Sequence, residues 1–234
     1  MDMEIRGCHM VERRITKTRY TSGRATISNI IRAAERVLAE QGHAALSLRR
    51  VAQECGLPIG NVSYYFPAKQ QLIKAMLDSI VADLAAPMDE LERWAADYPN
   101  DGLVKYLSGW MKFNEESRVA RIYVEIWSMA NNDSEVRAHL DQYYAHGEAR
   151  VRRMLARLNP ELSDEAMDTL SIFAISIMEG LMLFGNNGHR HARHMPILAA
   201  YAMDAVLHHA RSPDSASLRS LVDQYQQATA VPIV

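Results

Sequence analysis

"GLPIGNVSYYFPAK", residues 56–69, places two glycines, two prolines, three aromatics and one lysine in fourteen positions between two amphipathic helical patterns. Gly56 stands where a left-handed C-cap residue belongs, so the helix before it stops there. Leu57 can plug the resulting turn. Pro58 can open a new helix, because its missing N–H costs nothing in a first turn, and Pro67 closes that helix barely two turns later. Val62 and Phe66 form its inner stripe. Asn61, Ser63, Tyr64 and Tyr65 are left with donors and acceptors on the outer face.

Upstream, Ile27, Ile30, Ile31, Ala34, Val37 and Leu38 recur at three- and four-residue spacing and mark one face of a helix that Gly42 ends. Ser47 is a good N-cap for a short helix in which Leu48, Val51, Ala52 and Cys55 face inward. Downstream, a fourth helix runs from about Lys69 through Leu72, Ile73, Met76, Leu77, Ile80 and Val81, with Pro87 ending or kinking it. Two short helices joined by a tight glycine turn make a helix-turn-helix, whose second helix lies in the DNA major groove while the first crosses the backbone. Lys69, opening the next helix, is placed to meet a phosphate where free N–H groups add attraction.

The charge balance agrees. Residues 1–80 carry 12 Lys/Arg against 7 Asp/Glu, whereas residues 81–234 carry 14 against 21, so a basic third precedes an acidic remainder. "MVERRITKTRYTSGR", residues 10–24, adds Arg13, Arg14, Lys17, Arg19 and Arg24 with almost no apolar content, and reads as a flexible arm that orders on DNA or as a solubilising tail.

A chain of 234 residues with 48% hydrophobic content buries a sizeable core. No run approaches the ~18–20 uncharged apolar residues of a membrane span, and the N-terminus has no apolar signal core. The expectation is a cytoplasmic protein with no membrane partner. Cys8 and Cys55 allow neither a disulfide framework nor a four-cysteine zinc site. No G-x-S-x-G, H-E-x-x-H or Walker-type sequence occurs, so the chain is not expected to be an enzyme, and no cofactor is implied.

The order of these signals, over "ISNIIRAAERVLAEQGHAALSLRRVAQECGLPIGNVSYYFPAKQQLIKAML", resembles the TetR-family DNA-binding domain. It shares the glycine after the first helix, the cap at Ser47, the Val51-Ala52 pair, the Gly56 turn and the aromatic-Phe-x-x-Lys sequence ending at Lys69. The resemblance implies an all-α homodimeric repressor: a three-helix DNA head, then a larger helical domain that binds a small effector and its twin. Arg49 matches a position that reads bases in some members, although a phosphate contact is equally open, and Arg50 reads as solvated. Ser63 stands where the family generally has a phosphate-contacting tyrosine, and Ile59 where it has a polar residue. Ser63 can still donate to a phosphate; Ile59 can meet a thymine methyl or pack in the core; Tyr65 can reach the backbone or be partly buried.

Strong amphipathic segments follow at about 101–116, 119–131, 134–158, 163–186 and 196–210. Within them, "ARIYVEIWSMANNDSEVRAHLDQYYAHGEARVRRMLARL" and "AMDTLSIFAISIMEGLMLFG" resemble the C-terminal domain of the BetI-type branch, which implies architecture and no particular ligand. The expected division is an arm at 1–23, a DNA head at 24–70, an effector-binding and dimerisation domain at 71–210 and a tail at 211–234.

A pocket in such a bundle is mostly apolar with a few inward polar groups. Tyr106, Trp110, Phe113, Tyr123, Trp127, Met178 and Met182 are candidate walls, and each can equally be core. Glu179 and Glu125 are the candidate polar members, suited to a cationic or hydroxylated ligand, with surface exposure the plainer fate of Glu125. In the resembled family the last two helices pair with their symmetry mates. Here they carry Phe173, Ile177, Leu198, Tyr201, Ala202 and Ala205, a candidate self-complementary patch. A twofold protein also suits two half-sites of a palindromic duplex. "HRHARH", with His189, His191 and His194, is not expected to hold a metal, because Arg190 and Arg193 repel cations and no carboxylate or thiol adjoins. A ligand-independent activator or architectural DNA-binding protein is the alternative reading.

Overall fold

The computed structural model describes residues 5–114, 117–185, 190–212 and 215–229, with side chains for 23–113, 118–183, 185, 190–212 and 218–226. Among the described residues there are ten α-helices and no strand. They are α1 (Ile5–Gln41), α2 (Leu48–Cys55), α3 (Ile59–Tyr65), α4 (Lys69–Ala95), α5 (Gly102–Asn114), α6 (Ser117–Ala130), α7 (Ser134–Leu158), α8 (Asp164–Gly185), α9 (Met195–Arg211) and α10 (Ser215–Thr229). Two short 3-10 turns, His43–Ala45 and Ala192–His194, precede α2 and α9.

One compact unit comprises Met1–Ala86 with Arg121–Asp141, the other Pro87–Ala120 with Gln142–Val234. In the first, the expected stripe of α1 is interior: Ile30, Ala34, Val37 and Leu38 are fully buried. Gly42 ends α1 with φ 79, and Ser47 caps α2 by accepting a hydrogen bond from the Arg50 N–H at 3.2 Å. Such a cap is worth about 1 kcal/mol over alanine. Gly56 adopts φ 68, the left-handed conformation that its lack of a Cβ permits. Pro58 serves as the N-cap of α3 and not as its first residue: its carbonyl accepts from the Asn61 and Val62 N–H groups. Val62 and Phe66 point inward, as their spacing requires. Glu35, buried on α1, accepts from the Ser79 hydroxyl of α4 at 2.8 Å.

In the second unit, Tyr106, Trp110, Val151, Leu155, Ala174 and Met178 belong to one buried cluster contributed by α5, α7 and α8. Arg150, itself buried, donates through Nε to Asp89 at 2.9 Å, and Arg153 grips Glu92 with two bonds of 2.7 Å. The residues of α4 from Pro87 on are thereby tied to α7. α4 does not end at Pro87 but continues to Ala95. Asp164–Leu183 of α8 is, by length and composition alone, sufficient to cross a bilayer. Asp168 and Glu179 break its apolar run, so the stricter test of an uncharged stretch passes over it. Here it serves as a core helix, with Leu170, Ala174, Ile175 and Met178 buried.

Candidate functional site

The outer surface of α3 is the first candidate site. Ile59 is 47% exposed and Tyr64 79%, and Asn61 is exposed beside them. Core packing is therefore not the fate of Ile59. Ser63 and Tyr65 are half-buried. The Tyr64 and Tyr65 rings meet edge to face at 5.1 Å, and the Tyr65 hydroxyl lies against Gly23 of α1. Arg49 and Lys69 are accessible, as is Ser47, whose oxygen is engaged in capping. Arg50 is not simply solvated: its Nε donates to Gln41 at 2.8 Å and a terminal nitrogen to Glu54 at 2.9 Å. Glu54 also accepts from Arg36 at 3.1 Å, and that bond, assisted by the Arg50 charge, holds its carboxyl below the usual range. The α1 and α2 scaffold is cross-linked in this way while Arg49 stays available. The side chains of Arg13, Arg14, Lys17 and Arg19 lie outside the described residues, as do those of Cys8 and His189.

Glu125 is neither loosely exposed nor aimed into an apolar chamber. Its Oε2 accepts the His43 N–H at 2.7 Å and lies 2.7 Å from His43 Nδ1. Burial opposes its ionisation, but these bonds prevail and hold its carboxyl below the ordinary value.

The candidate effector residues divide between the units. Tyr123, fully buried, and Trp127, 43% exposed, belong to the first. Tyr106, Trp110, Met178 and Met182 are buried in the second, where Phe113 packs against the core. Burial keeps the Tyr106 phenol protonated well beyond its usual range. Glu179 is the unusual group: burial pushes its carboxyl up to about 7, against a hydrogen bond from Tyr144 that favours the anion. Its Oε1 is buried without a hydrogen-bond partner among the described residues, and so is the Trp110 Nε1 donor. Gly147 brings α7 against both Trp110 and Ile175, and Glu179 is one turn beyond Ile175 on α8. A separate cavity of about 550 Å³ in this unit is lined by Ser108, Met111, Lys112, Met195, Ala199 and Met203 with their neighbours. The expected walls are not among its described lining residues.

Of the candidate dimer residues, Phe173 and Tyr201 are exposed, the latter 66%, whereas Ile177, Leu198, Ala202 and Ala205 are half-buried. Ile172, Leu183 and Ile197 extend this apolar exposure on α8 and α9. The segment expected as a tail contains α10, whose Leu218, Leu221, Val222 and Tyr225 are exposed at helical spacing. That periodicity is present in the sequence, where the expectation of a tail passes over it. No sequence signal points to the contact between Glu125 and His43. His191 and His194 each accept from the neighbouring arginine, at 3.0 and 3.1 Å. Among the described residues, no cluster of three His, Cys, Asp or Glu side chains is arranged for a metal.

Two family models match the chain: the tetR family of bacterial regulatory proteins over residues 30–76, and the C-terminal domain of BetI-type transcriptional repressors over residues 99–225. A helix-turn-helix transcriptional regulator from the dhlA 5′ region of Xanthobacter autotrophicus is 26% identical over 158 residues, 67% of this chain and 77% of its own. Among solved structures, a transcriptional regulator from Rhodococcus sp. Rha1 superposes with a TM-score of 0.63 at 21% identity, covering 77% of this chain and 92% of that one. A regulator from Saccharomonospora viridis, solved in complex with choline, has a TM-score of 0.61 at 15% identity over 79% of this chain and 96% of its own.

Proposed function

The chain belongs to the TetR family of bacterial regulatory proteins, with a BetI-type C-terminal domain, and on that premise we propose a homodimeric repressor released from a palindromic operator by a small organic cation. As a family member it is a DNA-binding transcriptional regulator. The observation that carries the rest is the outer face of α3: a short helix fixed by Gly56 and Pro67, presenting Ile59, Asn61 and Tyr64 to solvent. Asn61 supplies paired donor and acceptor atoms for a base edge, Ile59 an apolar contact for a thymine methyl. Ser47, Arg49, Ser63, Tyr64, Tyr65 and Lys69 take phosphates, and the arm at 1–23 adds nonspecific attraction.

In this reading residues 24–70 are the DNA head, and 71–210 bind effector and twin. The apolar exposure of α8 and α9, centred on Phe173 and Tyr201, supports pairing of two copies. The exposed apolar stripe of α10, within the tail at 211–234, is assigned to the same pairing. The effector lies against Tyr106, Trp110, Met178 and Glu179, and Phe113 and Met182 of the same unit complete the proposed set, which leaves out Tyr123 and Trp127 of the first unit. The unsatisfied buried polar atoms of Trp110 and Glu179 support this placement, since such atoms are rare in a finished core. A cation is favoured because Glu179 gains a counter-charge and aromatic faces attract cations. The choline held by the Saccharomonospora viridis protein is of this class.

Repression is relieved by population shift: the effector prefers a dimer in which α4 has swung about Pro87, spoiling the half-site separation, so DNA and effector disfavour each other reciprocally. Pro87 lacks the N–H that would close the helix there, which makes the bend easier. A regulator of this kind works in the cytoplasm. The test is selection of duplexes from a randomised pool, followed by titration with the winner at several salt concentrations. The expected result is a palindrome, bound two chains per duplex, with a log–log salt slope of about −0.9 per phosphate contact. Recovery of sequences with no twofold repeat overturns the proposal.

A further inference from the structure

The α1–α2 turn is bound to a helix that lies 82 positions away in the sequence. Glu125 of α6 places Oε2 at 2.7 Å from both the His43 backbone N–H and its Nδ1. Gly42 makes the approach possible twice over. Its φ of 79 is one that other residues rarely adopt, and a Cβ there would stand 3.2 and 3.3 Å from the two Glu125 oxygens. His43 opens the 3-10 turn that closes through Ala45 N–H to Gly42 and Leu46 N–H to His43, each to the carbonyl. Leu46 is buried immediately after it, and Ser47 then caps α2. The carboxylate therefore anchors the short segment that fixes where α2 begins, and α2 in turn aims α3.

We propose that Glu125 is a positioning residue for DNA recognition: through His43 it locks the helix-turn-helix to α6 in the orientation that reads the duplex. The inference rests on the DNA-binding reading. It goes beyond the α4 lever, because α6 falls within the residues matched to the BetI-type C-terminal domain, whereas His43 falls within those matched to the DNA-binding domain. The contact thus joins the two matched regions inside one compact unit. Ile122 and Ile126 of α6 are buried, so a rotation of that helix against its packing moves the carboxylate with it.

The experiment uses the full chain and a duplex selected by the wild-type protein from a randomised pool. Affinity is read by fluorescence anisotropy, folding by thermal denaturation, and order at residues 43–50 by amide hydrogen exchange. Glu125→Ala is expected to remain folded at the assay temperature, to speed exchange at 43–50, and to weaken DNA binding about tenfold or more, as removal of a charged hydrogen bond implies. His43→Ala, which keeps the backbone N–H, is expected to weaken binding less. The double variant is expected to be no worse than Glu125→Ala alone. A purely structural bond instead lowers the melting temperature and leaves the affinity of the folded protein unchanged. That outcome, or additive losses in the double variant, overturns the inference alone. A wild-type chain that selects no duplex overturns the DNA-binding reading and the inference with it.

Discussion

Replacing Glu179 by glutamine isolates the energetic consequence of its burial. In the folded chain burial raises its carboxyl from 4.5 to about 7. Below pH 4.5 the group is neutral in both states and nothing is lost. Between pH 4.5 and 7 the unfolded chain ionises while the folded one does not, so stability falls as pH rises. Above about 7 the loss levels off at about 3 kcal/mol, at about 1.36 kcal/mol for each pH unit separating the two values. A glutamine side chain fits the same volume, can accept from Tyr144, and does not ionise. Urea denaturation at intervals from about pH 4 to about 8.5 should therefore show the two proteins nearly equal at the acid end and Glu179→Gln more stable by about 2–3 kcal/mol at the alkaline end. Taking the difference cancels every other titrating group. The same ionisation links to ligand: choline, used as a probe, should bind the wild-type chain more tightly as pH rises through about 7, and the variant should lose that dependence. Stability profiles that run parallel over the whole range refute the burial argument, whatever choline does.

The remaining expectations are more local. Gly60 is exposed and a Cβ there meets nothing within 4 Å, so Gly60→Ala should raise unfolding stability by about 0.5–1 kcal/mol while weakening binding to a selected duplex, because the added methyl stands between Ile59 and Asn61 on the helix proposed to read DNA. Calorimetry and anisotropy on the same sample separate the two effects. Asp89→Ala should cost about 1–3 kcal/mol in denaturant titrations, since it leaves buried Arg150 with Glu92 at 3.8 Å as its remaining acidic partner among the described residues. Deleting residues 213–234 should raise the dimer dissociation constant roughly a hundredfold by sedimentation, the equivalent of about 3 kcal/mol for hiding the α10 stripe. Unchanged dissociation would remove α10 from the interface.

What could be read from the residues alone was whatever closes within a few positions of itself. Ser47 caps α2 through Arg50 three residues on, and Gly56 stops the helix through Ala52 and Gln53 just behind it. Pro67 terminates α3 for equally local reasons. The apolar spacing of α1 needed only its own periodicity to reveal which side would be buried. From these came the all-helical class and the helix-turn-helix, and the boundaries of α5 to α9 fell within a few residues of their expected limits. The α10 stripe was legible by the same rule, although its surroundings suggested a tail.

Other features depend on partners that the sequence does not bring near. Glu125 and Glu179 have the same side chain, each on an apolar helix. One is ionised against a turn 82 residues away, and the other is kept from ionising until about pH 7 by burial that outweighs its hydrogen bond from Tyr144. A carboxyl's charge is set by the water it loses and the donors it gains. Both are properties of folded surroundings, so only the tertiary structure could tell the two residues apart.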